Sequence, residues 1–464
     1  MGDRLPRMPT DSELFRDLLL APDRDRIPGA TPMLSYREDE DEDYANALKE
    51  RATSRIELSR RGVWHGRWAE LDARDLLEPE ENPDLRARWR DSRPFVLRKV
   101  MKERFERIAD DTEVALSHFR ELKRPNELRA WITARLAATK PGRARFSVLA
   151  EGAGPEHVER DRVRDIARVG IRAELKNKDG SREVHDDLWV KLGRLSNNKL
   201  DSSIRARFSF GNEVEDDANP DPVRNSLVTE LATRCLPAAS RVRDSTELKN
   251  VVDGLAERPL YTTQQIAYWN TPEGGALFHH DSFAGPGSES DATKQLGVVF
   301  AQVSGRTAWL ALSIADLAKR VREFMGHMSD GQLSWVRGEV FPEPDAFQVA
   351  LDLADNEVAL MRELAKPGCG SLSSIVNRGP EFTSFLADCG HSCVLRPGDA
   401  IVLPNHDPRN TAMHSVFCAS PDVTFAISCG LRAMPGIKPL SREVVKRGKA
   451  VQPGRPHKRP RKKG

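Results

Sequence analysis

From Tyr261 onward the chain breaks into short apolar runs divided by turns, and this texture constrains the fold more than any other feature. The runs are Gln265 to Trp269, Ala276 to Asp281, Leu296 to Val303, Ala308 to Ser313, Ala400 to Leu403, Met413 to Cys418 and Val423 to Leu431. Runs of that length and spacing read as strands, and together they predict a jelly-roll or barrel-like β domain. Between Ile314 and Asp388 the period changes. ADLAKRVREFM and AFQVALDLADNEVALMRELA carry apolar residues at helical intervals, so a helical insert is expected between the two halves of the sheet.

A chain of 464 residues exceeds one ordinary domain of roughly 100–200 residues, so further units are expected upstream. Residues 1–95 are dense in Arg, Asp and Glu, with an acidic run from Glu38 to Asp43 and Trp64, Trp68 and Trp89 scattered among charges. They read as partly disordered with short helices. From Phe105 to Lys140 apolar residues recur at helical intervals and Pro125 interrupts them, which predicts a helical pair. Residues 96–256 as a whole read as a mixed helical and strand-bearing support, 257–436 as the β domain with its insert at about 314–388, and 437–464 as a disordered basic tail. The expected class is therefore α+β, with a mostly helical, charged N-terminal region.

The formal net charge of +2 hides an asymmetry, because from Lys446 onward there are nine Lys or Arg and no acid, leaving the body mildly acidic. The balance is not that of a basic nucleic-acid-binding protein, although the tail offers nonspecific contacts to RNA, a ribosome or an acidic partner. It lacks interleaved aromatics for base stacking. The N-terminal sequence has no apolar run long enough for a signal peptide or a membrane span, and six irregularly spaced cysteines do not make a disulfide framework. A soluble, cytoplasmic protein with reduced thiols is expected.

The sharpest chemical segment is GGALFHHDSF. On a strand, His279 and Asp281 are two residues apart and share a face, so an imidazole and a carboxylate aim at one point. Far downstream, His414 opens the apolar run of NTAMHSVFCAS and supplies a third ligand if that run lies beside the first strand. Two histidines and one carboxylate with open positions form the facial triad of non-haem Fe(II) oxygenases. His406 competes with His414, but His406-Asp407-Pro408 reads as a turn whereas His414 leads into a strand-like run. His280 alternates away from the metal face.

The order of elements resembles the Jumonji C (JmjC) and cupin-type 2-oxoglutarate oxygenases, in particular the ribosomal-oxygenase and asparaginyl-hydroxylase branch. Gly274-Gly275 before His279-His280-Asp281 is similar to the glycine turn before the family's His-x-Asp, and Val298 to Leu312 to its Gln-x-x-Gly strand pair. LRPGDAIVLP, Leu395 to Pro404, resembles the family's Pro-Gly-Asp turn and strand, and Pro408 to Val416 the segment bearing the distal histidine. The resemblance covers about Tyr261 to Met434 without the insert. It implies a double-stranded β-helix, with Fe(II) held by His279, Asp281 and His414. It further implies 2-oxoglutarate and O2 as co-substrates, succinate and CO2 as products, and hydroxylation of a protein or peptide side chain.

The chain departs from the family at the cation for the far carboxylate of 2-oxoglutarate. The asparaginyl-hydroxylase branch carries a lysine at the position occupied here by Thr307, whose hydroxyl supplies a hydrogen bond but no charge. Lys294, Arg306 and Arg432 are the replacement cations. Arg432 is favoured by alternation, since Ala426, Ser428, Gly430 and Arg432 share one strand face. The insertion SFAGPGSESDATKQLG after His280-Asp281 adjoins the expected metal and reads either as a substrate-facing loop or as a plain surface loop. Cys389, His391 and Cys393 offer three potential zinc ligands without an evident fourth. Two rival functions stand beside the oxygenase: a cupin-like module that holds a metal or small ligand without turnover, and a nucleic-acid-associated scaffold using the tail.

Overall fold

Alternating side chains make the central strands of this protein serve two cores, and four layers follow. The computed structural model describes residues 70–72 and most of 83–434, leaving out 102–107, 150–164, 196–201, 212–220, 273–274, 283–294, 331–336, 378–381 and a few single positions. The expected disorder of the N-terminal region and of the basic tail, the loop after Asp281 and Lys294 lie outside the described residues.

The larger sheet orders its strands β2 (Phe95–Arg98), β12 (Ala400–Asp407), β9 (Gln295–Ser304), β14 (Thr424–Ala433), β7 (Leu260–Asn270), β6 (Ile204–Phe210), β5 (Arg182–Arg194), β4 (Asp165–Lys176) and β3 (Ala144–Val148). Every neighbouring pair in that series is antiparallel, and β1 (Glu70–Asp72) adds a parallel edge to β2. A smaller antiparallel sheet orders β11 (Ser392–Leu395), β10 (Thr307–Ser313), β13 (Asn410–Cys418) and β8 (Gly275–His279). The hairpin of β12 and β13 joins the two sheets. The architecture is thus a mixed helical and antiparallel β-sandwich whose sheets do not close on themselves.

On β14, Phe425, Ile427, Cys429 and Leu431 enter a core beneath the N-terminal helices, while Ala426 enters the space between the sheets. On β10, Trp309 and Ala311 face that inner space, and Leu310 and Leu312 face the insert helices. The period of two that made these strands legible is the reason both faces are covered.

The helical pair expected around Pro125 is present. After α1 (Pro83–Arg90), α2 (Ile108–Glu121) turns at Pro125–Glu127 into α3 (Leu128–Ala138). Asp221 caps α4 (Pro222–Cys235) by accepting from the backbone N–H groups of Val223 and Arg224, with Pro222 in the first turn where no donor is needed. α5 (Thr246–Leu255) follows before β7. The insert is helical: α6 (Ile314–Ser329), capped by the Ser313 hydroxyl, is followed by α7 (Pro344–Ala354) and α8 (Glu357–Leu364). The sheet crosses the boundary expected at 256, because β6 pairs with β7, and β2 joins the β domain from residue 95 by pairing with β12.

His118 on α2, 2% exposed, accepts a hydrogen bond at Nδ1 from the Arg135 guanidinium on α3 at 2.8 Å. Burial first, then Arg135, push this imidazole down to about 4. The unfolded chain, with an ordinary imidazole near 6.5, takes up the proton first, so stability falls as pH drops from 6.5 toward 4. Urea titrations at pH 7 and pH 5 are expected to give a smaller acid penalty for His118→Gln than for the parent, by about 2 kcal/mol.

Candidate metal centre

β8 meets β13 through an irregular ladder. His279 pairs with His414 and Ala276 with Val416, so β8 holds one more residue than β13 between the same two rungs. That extra residue is a β-bulge. It brings both Ala276 and His279 to the inner cavity, while Phe278 packs outward among the insert helices. The strand ends at His279, two residues earlier than expected, and Asp281 lies just beyond it. The Gln295 side-chain amide donates to the Asp281 carbonyl at 2.9 Å and ties that segment to β9.

The insert holds β8 from behind. The Asn377 side chain accepts from the Phe278 N–H at 3.0 Å and donates to the Gly368 carbonyl at 3.0 Å, itself only 3% exposed. His280 takes a hydrogen bond from the Ser282 N–H at Nδ1, so its Nε2–H donates to the Ala365 carbonyl at 3.0 Å. Burial pushes the His280 imidazole below its ordinary value. Asn377→Ala leaves the Phe278 amide and the Gly368 carbonyl unsatisfied, and about 2–3 kcal/mol of stability is expected to be lost in urea unfolding.

Three side chains converge in front of β8. Nδ1 of His279 lies 2.7 Å from the Leu277 carbonyl, which only accepts, so Nδ1 carries the proton and Nε2 keeps its lone pair. That Nε2 is 3.9 Å from Oδ1 of Asp281, and Nε2 of His414 is 3.7 Å from Oδ2. Both separations are too long for hydrogen bonds. His414 is 3% exposed and stacks on Trp309 at 5.6 Å between ring centroids. Burial first, then His279, push its imidazole down to about 3 against the pull of Asp281, so it is neutral at ordinary pH.

The potential ligand atoms of His279, Asp281 and His414 all lie within 4.8 Å of one another, the one such gathering of His, Cys, Asp or Glu among the described residues. Two lone-pair nitrogens and a carboxylate suit a divalent cation such as Fe(II). His406 lies elsewhere. It belongs to β12, the hairpin turn beginning only after the Asp407 pairing with Asn410, and its Nε2 meets the Trp89 carbonyl at 2.7 Å. Cys389, His391 and Cys393 do not assemble as a metal group, and His391 accepts from Arg320 Nε–H at 3.1 Å.

The three ligand candidates open onto a cavity of about 310 Å³ between the sheets. Val298, Phe300, Trp309, Leu403 and Val416 form its apolar wall, and Gln264, Asn270, Tyr268, Ser428, Arg205 and Arg207 its polar one. A larger hollow of about 550 Å³ lies between α4, α5 and the outer face of the larger sheet and contains none of the three.

Of the cations expected for 2-oxoglutarate that are among the described residues, Arg432 and Arg306, neither lines this cavity. Arg432 is 1% exposed and is not among the lining residues. Alternation places Ser428 on the lining as expected. It also continues beyond, since Cys429, Leu431 and Ala433 stay in the core beneath the helices and the register shifts near Arg432 place their extra residues on β7 and β9; Arg432 keeps the face of Ser428 but lies past the end of the lining. Thr307 is fully buried, its hydroxyl donating to Gln302 Oε1 at 2.7 Å and accepting from Trp309 Nε1–H at 2.8 Å. Its one proton is committed. Arg306 sits in the turn between β9 and β10, its N–H bonded to the Ser420 hydroxyl at 2.7 Å, away from the cavity. The positive charge on the lining comes instead from β6, which sequence reasoning missed. The signal was the alternation in IRARFSF, where two arginines share one face of an otherwise apolar strand.

Fold and site together define an antiparallel β-sandwich with two histidines and a carboxylate gathered on its inner face. No family model and no curated protein matches the sequence. Among solved structures the chain is similar to YcfD, a ribosomal oxygenase from Escherichia coli, and to YcfD in complex with cobalt and succinic acid. Each is 14% identical with a TM-score of 0.17 and covers 68% of this chain, which spans 57% of the length of either.

Proposed function

We propose that this protein is an Fe(II)- and 2-oxoglutarate-dependent oxygenase that hydroxylates a side chain of a protein or peptide. The observation that carries the reading is the convergence of His279, Asp281 and His414 at a cavity between two antiparallel sheets. Strand order supports it. If β7 to β14 are counted from one to eight, the two sheets run 1-8-3-6 and 2-7-4-5, the order produced by rolling up one long hairpin, as in a double-stranded β-helix. Residues 257–436 form the catalytic unit in this reading, widened on one edge by β2 and on the other by β6 to β3.

His279, Asp281 and His414 would hold the metal. Iron, 2-oxoglutarate and O2 together supply the oxidising power for C–H hydroxylation, with succinate and CO2 released. The Leu277 carbonyl keeps the His279 proton on Nδ1, which orients Nε2 for coordination. Trp309 and Phe300 keep water from one side of the cavity. On another side, Gln264 and Asn270 present buried side-chain oxygens that lack a hydrogen-bond donor, and these accept from a polar group of the substrate. The substrate class itself is a proposal by resemblance.

Anaerobic addition of Fe(II) and 2-oxoglutarate is expected to give a weak metal-to-ligand charge-transfer band in the visible, and air is expected to release succinate. Metal binding with neither band nor succinate would refute the oxygenase and leave a metal-binding module.

A further inference from the structure

Arg205 and Arg207 face the metal cluster from a strand outside the eight that form the rolled hairpin. On β6, Ile204, Ala206, Phe208 and Phe210 belong to the core beneath the helices, so the two arginines point the other way and line the cavity. Alternate positions on a strand put their Cα atoms about 7 Å apart. They oppose one another: burial first, and then Arg205, push the Arg207 guanidinium down to about 10, while Tyr268 and Asp281 pull it back up. Asp281 is the single carboxylate on the lining among the described residues. A divalent ion at the cluster adds two further positive charges to a confined space, where unbalanced charge is costly. A dianion relieves this more than a monoanion does. A 2-oxo acid held at the metal by its oxo and first carboxylate oxygens must also send its other end across the cavity.

We propose that Arg207, backed by Arg205 on the same strand face, binds the far carboxylate of the dicarboxylate co-substrate. The cation is thereby moved from the strand where the family resemblance places it to one contributed by the N-terminal part of the chain. The planar guanidinium grips both carboxylate oxygens, and Tyr268, next to β6 in the sheet, lines the same wall. The proposal rests on the oxygenase reading.

The test is calorimetric titration of the full chain, loaded with Co(II), with 2-oxoglutarate and with 2-oxobutyrate, which lacks the far carboxylate. The parent is expected to bind 2-oxoglutarate on the order of 100-fold more tightly. Arg207→Met should lose most of that margin with 2-oxobutyrate affinity unchanged. Arg207→Lys, which keeps the charge and so guards against loss of fold, should lose part of it because an ammonium does not grip both oxygens. A margin that survives in both variants overturns the assignment of Arg207 and leaves the oxygenase intact, as does an equal weakening of both ligands. Failure of the parent to bind either 2-oxo acid overturns the oxygenase reading and this proposal with it.

Discussion

Asp281→Ala is expected to weaken divalent metal binding by at least about 100-fold while leaving the metal-free fold as stable as the parent. Asp281 faces two imidazoles at 3.7 and 3.9 Å and is bonded to neither, and its side chain keeps 33% of its exposure. Removing it therefore costs the folded state little. With metal present the comparison reverses. An ion at 100 times its dissociation constant stabilises the folded parent by about 2.7 kcal/mol, and the variant should show none of that gain. Thermal unfolding with and without Fe(II) or Co(II) under nitrogen reads both effects. Equal metal-induced stabilisation in parent and variant would remove Asp281 from the ligand set. His414→Ala should show the same loss of metal response with a lower metal-free stability, because it also empties a buried site against Trp309.

Asp399→Ala is expected to cost about 3–5 kcal/mol, enough to unfold a marginal chain. Asp399 is 3% exposed in the turn Arg396-Pro397-Gly398-Asp399, where Gly398 takes a φ of 95° that favours glycine. Its Oδ2 accepts from Arg98 at 2.8 Å and from the Arg396 N–H at 3.0 Å, and its Oδ1 from the Lys99 N–H at 2.9 Å. Lys99 sits at φ 53°, a strained conformation for lysine that this carboxylate helps to hold. Alanine leaves the largely buried Arg98 guanidinium without its counter-charge and the two amides without their acceptor. Asp399→Asn should cost less, since the amide oxygen still accepts from one of them. Urea unfolding of the two variants separates the effects, and a loss below about 1 kcal/mol for alanine would contradict this account.

Seven of the strands from β7 to β14 were legible because they bury both faces with a period of two, and the insert because its apolar residues recur at helical spacing; the four-residue β11 was not read as a strand. The three ligand candidates were legible for the same reason, His279 and Asp281 from spacing and His414 from the run that follows it. Where tertiary pairing overrides local preference, the sequence misleads. The turn read at His406-Asp407-Pro408 begins later, because β12 pairs through Asp407, whose carboxylate then accepts from the Arg409 and Asn410 N–H groups to close the hairpin. The long strands β4 and β5 carry Arg172, Glu183, Asp186 and Asp187, and their positions were not located within the mixed region. Their charges are met across the ladder, as in the ion pair of Arg172 with Asp186 at 2.8 Å. Arg205 and Arg207 escaped notice because alternation cannot say whether the polar face of a strand looks at solvent or at a cavity.

The rung that joins His279 to His414 ties together strands separated in sequence by four others and by the whole helical insert. Such a contact closes a very long loop, and the entropy of that closure is repaid only after the intervening elements have formed. Affinity for the ion should therefore emerge among the last events of folding. Followed in time after dilution from denaturant, acquisition of metal would act as a clock for completion of the sandwich.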